Sequence, residues 1–320
     1  MNSYLAVVLV AALPAAALAQ QEVGAAAPAE DGRTAPVLNG HLFSPSVLVD
    51  SPFRETTFKL GILYGFGKAT GQKYDRNGPV PGETVDYTFA AFAQTFRYEY
   101  QFLDWLSAGV LAVTTLYSGI DGPSVVSVGA EVGVGAGARV KAGHQFGPVQ
   151  TAIVFDVSSA PEYGFLVAAA LIKAIQQGVI DAGSALQATH AVTVNPVLAA
   201  AWAPIPALGL TANVGYVYKY LRLSGGAVTT GQNAFQIGGV LDFDFGKVSS
   251  VPVAVVAGYK LITPLGDGGI PKIEDYSIGF SYTARRRLGL NLEIGRRDFT
   301  IREGLDSNGT LAQLGLQYYW

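Results

Sequence analysis

Three histidines, His41, His144 and His190, are the only side chains in this 320-residue chain whose ordinary titration falls near neutral pH, and the chain has no cysteine. A hydrolase built on one of them needs a serine or threonine within hydrogen-bond reach and a third group to orient the ring. His190 has Ser184 and Thr189 close in sequence. No nucleophile motif surrounds it, His41 precedes the first predicted strand and His144 sits by a short turn, so catalysis is not expected. There is no His/Cys cluster and no carboxylate run at calcium-loop spacing, so neither a metal site nor a cofactor is expected. The glycines of Gly129–Gly137 fall at alternate positions, which suits close packing within a strand and not a phosphate cradle.

The chemistry that remains is electrostatic. Charged residues recur singly, at alternate positions opposite apolar ones: Lys59, Arg97, Glu99, Glu131, Arg139, Lys141, Asp156, Lys219, Asp242, Asp244, Lys260, Glu293 and Arg297. A face of one sign would select ions. This mixture of signs predicts mutual pairing, because an unpaired charge away from water is costly.

Alternation with period two is the signature of strands. One face of the last strand is Ala312, Leu314, Leu316, Tyr318 and Trp320, and the other is Gln313, Gly315, Gln317 and Tyr319. The same pattern predicts about 12 strands, at 54–67, 86–101, 106–118, 126–142, 149–157, 190–203, 209–222, 232–245, 251–263, 274–284, 288–300 and 310–320. The connections alternate. Short turns are expected at Phe102–Trp105, Gln145–Pro148, Pro204–Leu208, Gly246–Ser250 and Arg285–Arg287. Longer loops are expected at Lys68–Val85, Gly119–Val125, Ser158–Thr189, Ser224–Gly231, Pro264–Ile273 and Ile301–Gly309.

Composition decides between a soluble sandwich and a barrel in lipid. Half of the chain is apolar and only 14% is charged, against about 25% in a soluble domain. The second face of each strand is rich in Gly, Ser, Thr and Gln, which suits a narrow lumen. Aromatics gather near strand ends on the apolar face: Tyr64, Phe66, Phe96, Tyr98, Tyr100, Phe102, Tyr216, Tyr218, Tyr220, Phe243, Phe245, Tyr318 and Trp320. That is the distribution of interfacial girdles. The net charge of −3 gives no support to nucleic-acid binding.

Two segments stand outside the alternation. Residues 1–19 read as a secretory signal peptide, ending Ala17-Leu18-Ala19. Residues 20–53 read as a linker whose second half, Pro36–Phe53, is apolar enough to require burial and is a candidate plug; the barrel is placed at 54–320. Within Ser158–Thr189, the run Phe165–Gln177 predicts a short helix, with Phe165, Leu166, Leu171, Ile172 and Ile175 as candidate gate residues.

The terminal strand Leu314-Gly315-Leu316-Gln317-Tyr318-Tyr319-Trp320, ending in an aromatic residue, resembles the carboxy-terminal signal of bacterial outer-membrane β-barrels. The resemblance covers the whole barrel at the level of architecture. It implies an all-β, antiparallel, up-and-down transmembrane barrel in a Gram-negative outer membrane, with a helical insertion in one extracellular loop. It also implies partners: outer-membrane lipid, lipopolysaccharide, and the assembly machinery that reads the last strand. The apolar helix and the apolar amino-terminal segment are similar in kind to parts of outer-membrane transporters of fatty acids and aromatic hydrocarbons. The expected function is a narrow channel or transporter for small, even hydrophobic, solutes, with a small hydrophobic compound as candidate ligand. A structural or surface-interaction barrel with a blocked lumen is the alternative, and an outer-membrane lipid hydrolase the weaker one.

Overall fold

The structure, a computed structural model, describes residues 36–75, 78–121, 127–162, 189–222, 229–266, 270–302 and 305–320. The signal peptide, the first half of the linker, and the helix with Phe165, Leu166, Leu171, Ile172 and Ile175 lie outside the described residues.

Fourteen strands are present among these residues. Two short ones, β1 (Val37–Leu38) and β2 (His41–Leu42), form a small hairpin. Its turn is Asn39-Gly40, with φ of 49° and 80°. Two successive positive φ values make a tight mirror-image turn, which Asn-Gly favours because glycine carries no side chain to clash.

The other twelve strands form the barrel: β3 (Thr57–Asp75), β4 (Gly78–Leu103), β5 (Leu106–Asp121), β6 (Ser127–Phe146), β7 (Val149–Glu162), β8 (Thr189–Ile205), β9 (Leu208–Arg222), β10 (Thr229–Asp244), β11 (Val253–Pro264), β12 (Lys272–Tyr282), β13 (Leu288–Arg302) and β14 (Leu305–Tyr319). Each pairs antiparallel with its neighbours in the chain, and β14 closes the ring on β3. Closure leaves no strand edge unpaired, which a bilayer demands of any spanning sheet.

All twelve expected strands are found, and several run further than hydropathy indicates. The expected loop Lys68–Val85 is largely a hairpin, paired as far as Asp75↔Gly78 with an irregularity between Gln72 and Tyr74. The expected loop Ile301–Gly309 shrinks likewise, because β13 reaches Arg302 and β14 starts at Leu305. The physical reason is that a backbone ladder needs no apolar side chains; once past the lipid, strands continue in water with polar ones. Among the described residues no helix occurs beyond the single 3-10 turn Phe245–Lys247.

The two faces of the wall separate as the alternation requires. Outward residues such as Val134, Ile153, Leu198, Ile278 and Phe280 are more than half exposed, while the intervening positions are covered. A continuous apolar exterior of this kind is stable only against lipid. At the end of the barrel carrying the short turns, Tyr98 stacks on Trp320 at 5.7 Å, and Tyr100 meets Phe102 at 4.9 Å. The chain closes there too, where the Trp320 amide donates to the Thr56 carbonyl at 3.2 Å.

Candidate functional site

The interior is built from the inward positions of these strands together with residues 36–56. This inner segment starts at the turn end. Asn39 Nδ2 donates to the Ala203 carbonyl at 3.0 Å, and His41 Nδ1 lies 3.1 Å from the Pro206 carbonyl. Leu38, Phe43 and Phe53 are buried against Ala201 and Ala203 of β8. The Ser44 amide then donates to Asp242 Oδ2 at 2.6 Å, and Asn291 Nδ2 donates to the Pro45 carbonyl at 3.3 Å. Further in, Leu48 packs on Val240 and Val256. At the deepest point Asp50 reaches Arg139 of β6. The segment then returns to the turn end, where Arg54 Nη1 donates to the carbonyls of Asp104 and Gly143.

The register explains which charges meet. Arg139 and Asp156 are partners across β6 and β7. Arg139 Nε and Nη2 donate to the two oxygens of Asp156 at 2.5 Å each, and Nη2 also meets Asp50 Oδ1 at 2.5 Å. Burial alone would push the Asp50 carboxyl up, but Arg139, Arg97 and Lys260 outweigh it and hold it well below the usual carboxylate range. Asp275 stands opposite both Lys260 and Arg297, and takes two hydrogen bonds from the Arg297 guanidinium at 2.5 and 2.8 Å.

A second layer lies nearer the turn end. Lys141 and Glu99, each about 1% exposed, pair at 2.9 Å across the intervening strand β5. They reach each other because β5 carries small residues there: Gly109, where a side chain would collide with the backbone of Tyr98 and Glu99, and Ser107, which donates to Glu99 at 2.7 Å. The Lys141 ammonium also donates to the Phe53 carbonyl at 2.6 Å. Lys59 lies 3.6 Å from Glu55, and Gln317 Nε2 donates to Glu55 at 2.9 Å.

Asp242 thus holds the Ser44 amide, and Asp244 accepts from Thr283 Oγ1 and the Gly246 amide. Glu293 accepts from Ser277 and Asn291 at 3.1 and 3.0 Å. Lys219 faces inward on β9, with a partner of its own. The side chains of Glu131 and His190 lie outside the described residues. Residues that the sequence reading left out are Asp50, Glu55 and Asp275.

Among the described residues one histidine stands beside a hydroxyl and a carboxylate. These are His41, Ser44 and Asp242, and Asp242 binds the Ser44 amide, not its hydroxyl. Nδ1 faces the Pro206 carbonyl and Nε2 faces Asp242 at 3.6 Å. Nε2 and the Ser44 hydroxyl are both buried without a hydrogen-bond partner, and no hydrogen bond joins them as a Ser–His pair requires. His144 packs on the Phe146 ring at 4.6 Å, on the exterior.

No protein-family model matches the chain, and no curated protein matches it. Among solved structures, an outer-membrane channel from Pseudomonas putida F1 aligns with a TM-score of 0.51 and 13% identity, over 85% of this chain and 100% of that one. The chain has the fold of bacterial outer-membrane barrels. A FadL homologue from Pseudomonas aeruginosa aligns over 90% of this chain and 97% of its own, at a TM-score of 0.45 and 14% identity. The KdgM porin aligns over 80% and 99%, at 0.40 and 12%. A barrel of this fold, with a lipid-facing exterior, belongs in an outer membrane.

Proposed function

We propose that the protein is a narrow outer-membrane channel for small solutes, held closed from the periplasmic side by its own residues 36–56. The observation that carries this reading is how the inner segment is held. It is fixed by hydrogen bonds and two carboxylates, as well as by apolar packing, to a wall that is already closed without it. A filler of a blocked barrel would need only apolar packing; this segment ends its inward course on a charge.

About twelve strands lie between the eight whose lumen side chains fill and the sixteen or more that leave a wide channel. A passage here is therefore small, and its charged middle favours solutes with a polar or ionised group over fully apolar ones. The alternative, a structural barrel, takes its support from the same segment, since Leu38, Phe43, Leu48 and Phe53 are buried in it. No catalytic role enters the reading.

Solute permeation separates the two. Proteoliposomes carrying a variant that lacks residues 36–52 are expected to swell in isotonic arabinose at least tenfold faster than those with the intact protein. They are expected to stay tight to a trisaccharide. Swelling no faster than in protein-free liposomes would leave the structural barrel as the better account.

A further inference from the structure

Beyond the Asp50 contact the lumen contains a cavity of about 150 Å³, lined by Arg97, Leu111, Arg139, Asp156, Thr193 and Asn195 among others. Its charged groups are not equally engaged. Both oxygens of Asp156 are taken by Arg139, and Arg139 is further taken by Asp50. Arg97 differs. Among the described residues it has no carboxylate within 4 Å, and its partner across the β3–β4 pair is Lys59, of the same sign. Lys59 leans on Glu55 instead. Like charges directly opposite each other destabilise a sheet unless something compensates them. Around the cavity the wall presents Arg97, Arg139, Lys260 and Arg297 against Asp156 and Asp275, with Glu99, already paired to Lys141, nearby, and the inner segment adds Asp50.

The cavity also has a fixed polar side. Gln236 Nε2 donates to Asn195 Oδ1 at 2.8 Å, crossing β9 at Gly215, where a side chain would collide with the Gln236 amide. That bond fixes the Asn195 amide at the edge of the cavity. Leu111, the cross-strand partner of Arg97, supplies an apolar surface beside the guanidinium. A volume of this size has room for a single six-membered ring, and here the walls are apolar at Leu111 and polar elsewhere. A guanidinium presents a planar fork that matches a carboxylate in two parallel hydrogen bonds.

We propose that this cavity is a binding site for a small carboxylate with an apolar body, its carboxylate on Arg97 and its body against Leu111. The proposal rests on the channel reading, and it names the solute class: monocarboxylates of about one ring. Asp50, on the neighbouring Arg139, already places one carboxylate of the protein's own in the same cationic surroundings.

Equilibrium binding tests the site without requiring permeation, so its failure and that of the channel reading are separable. The refolded, detergent-solubilised full chain is titrated with sodium benzoate and, separately, with benzyl alcohol, by isothermal calorimetry. Benzoate is expected to bind, and benzyl alcohol to bind at least tenfold more weakly. Arg97→Gln is expected to weaken benzoate at least tenfold, and Arg97→Lys less, since a point charge replaces the fork. Thr193→Leu, which fills the cavity and alters no charge, is expected to weaken it as well. Heat-modifiable gel migration confirms that each variant is a folded barrel. The proposal is overturned if benzoate does not bind the wild type, if benzyl alcohol binds as well as benzoate, or if folded Arg97→Gln and Thr193→Leu both bind benzoate like the wild type.

Discussion

Arg139→Gln is expected to be the most damaging single substitution inside the barrel, with a loss of about 3–5 kcal/mol, the range for breaking a buried ion pair. Arg139 is only 6% exposed and holds two carboxylates at once, Asp50 from the inner segment and Asp156 from the neighbouring strand. Glutamine keeps the approximate length but loses the charge and the fork, so two acidic groups face each other without a cation between them. The check is the urea midpoint of the barrel refolded in lipid vesicles. Adding Asp50→Asn to Arg139→Gln is expected to recover part of the loss, because it removes one stranded charge. A simple sum of two separate losses would show that the two residues do not act through each other.

The pH dependence of this contact follows from its sign. The Asp50 carboxyl is held below the usual range in the folded protein. Its contribution is therefore complete above the ordinary carboxylate value, and it is lost only as pH falls through the lowered folded value. The difference in midpoint between wild type and Asp50→Asn should be the same at pH 7 and pH 5. A difference that shrinks over this interval would mean that Asp50 titrates like an exposed carboxylate.

The second large effect is a covalent lock. A Cβ added at Gly238 of β10 would lie 3.1 Å from a γ-methyl of Val49. In the double variant Val49→Cys/Gly238→Cys, a sulfur at that methyl position lies close to the separation a disulfide requires. The chain has no other cysteine, so any bond formed can be assigned without ambiguity. Copper-phenanthroline oxidation of the folded protein is expected to link nearly all molecules. The product should migrate faster in a denaturing gel than the reduced form. It should also resist release of the inner segment when the barrel is opened by moderate urea. A variant that remains reduced would place Val49 away from β10.

The alternation of residue types carried most of the wall. Lys59, Arg97, Glu99, Arg139 and Asp156 fall on inward positions because a period of two leaves no freedom once the outward residues are known. Asp275 obeys the same alternation as Ser277, Gly279 and Ser281, so its place was available to the same reasoning. Asp50 and Glu55 were not readable in that way. They belong to a stretch without periodicity, and what they touch depends on a path through the lumen that no local pattern encodes. The Val37–Leu42 hairpin did have a local signal, Asn39-Gly40 between apolar pairs, although the strands on either side are only two residues long. The Glu99–Lys141 pair was hidden for a different reason. It joins strands that are not neighbours, and such contacts emerge only when register and a small residue such as Gly109 coincide. The outer ends of β3 and β4 read as loop because hydropathy reports lipid contact and is blind to a backbone ladder in water.

A lumen that is a passage closed by residues 36–56 must conduct once they are removed. Single-channel conductance in planar bilayers tests it most directly, comparing the intact chain with the variant lacking residues 36–52. The intact protein is expected to be silent or to open only briefly, and the variant to conduct in steady, uniform steps. A folded variant that stays as silent as the intact chain would contradict it, because the wall itself would then close the barrel and the inner segment would be only part of its packing.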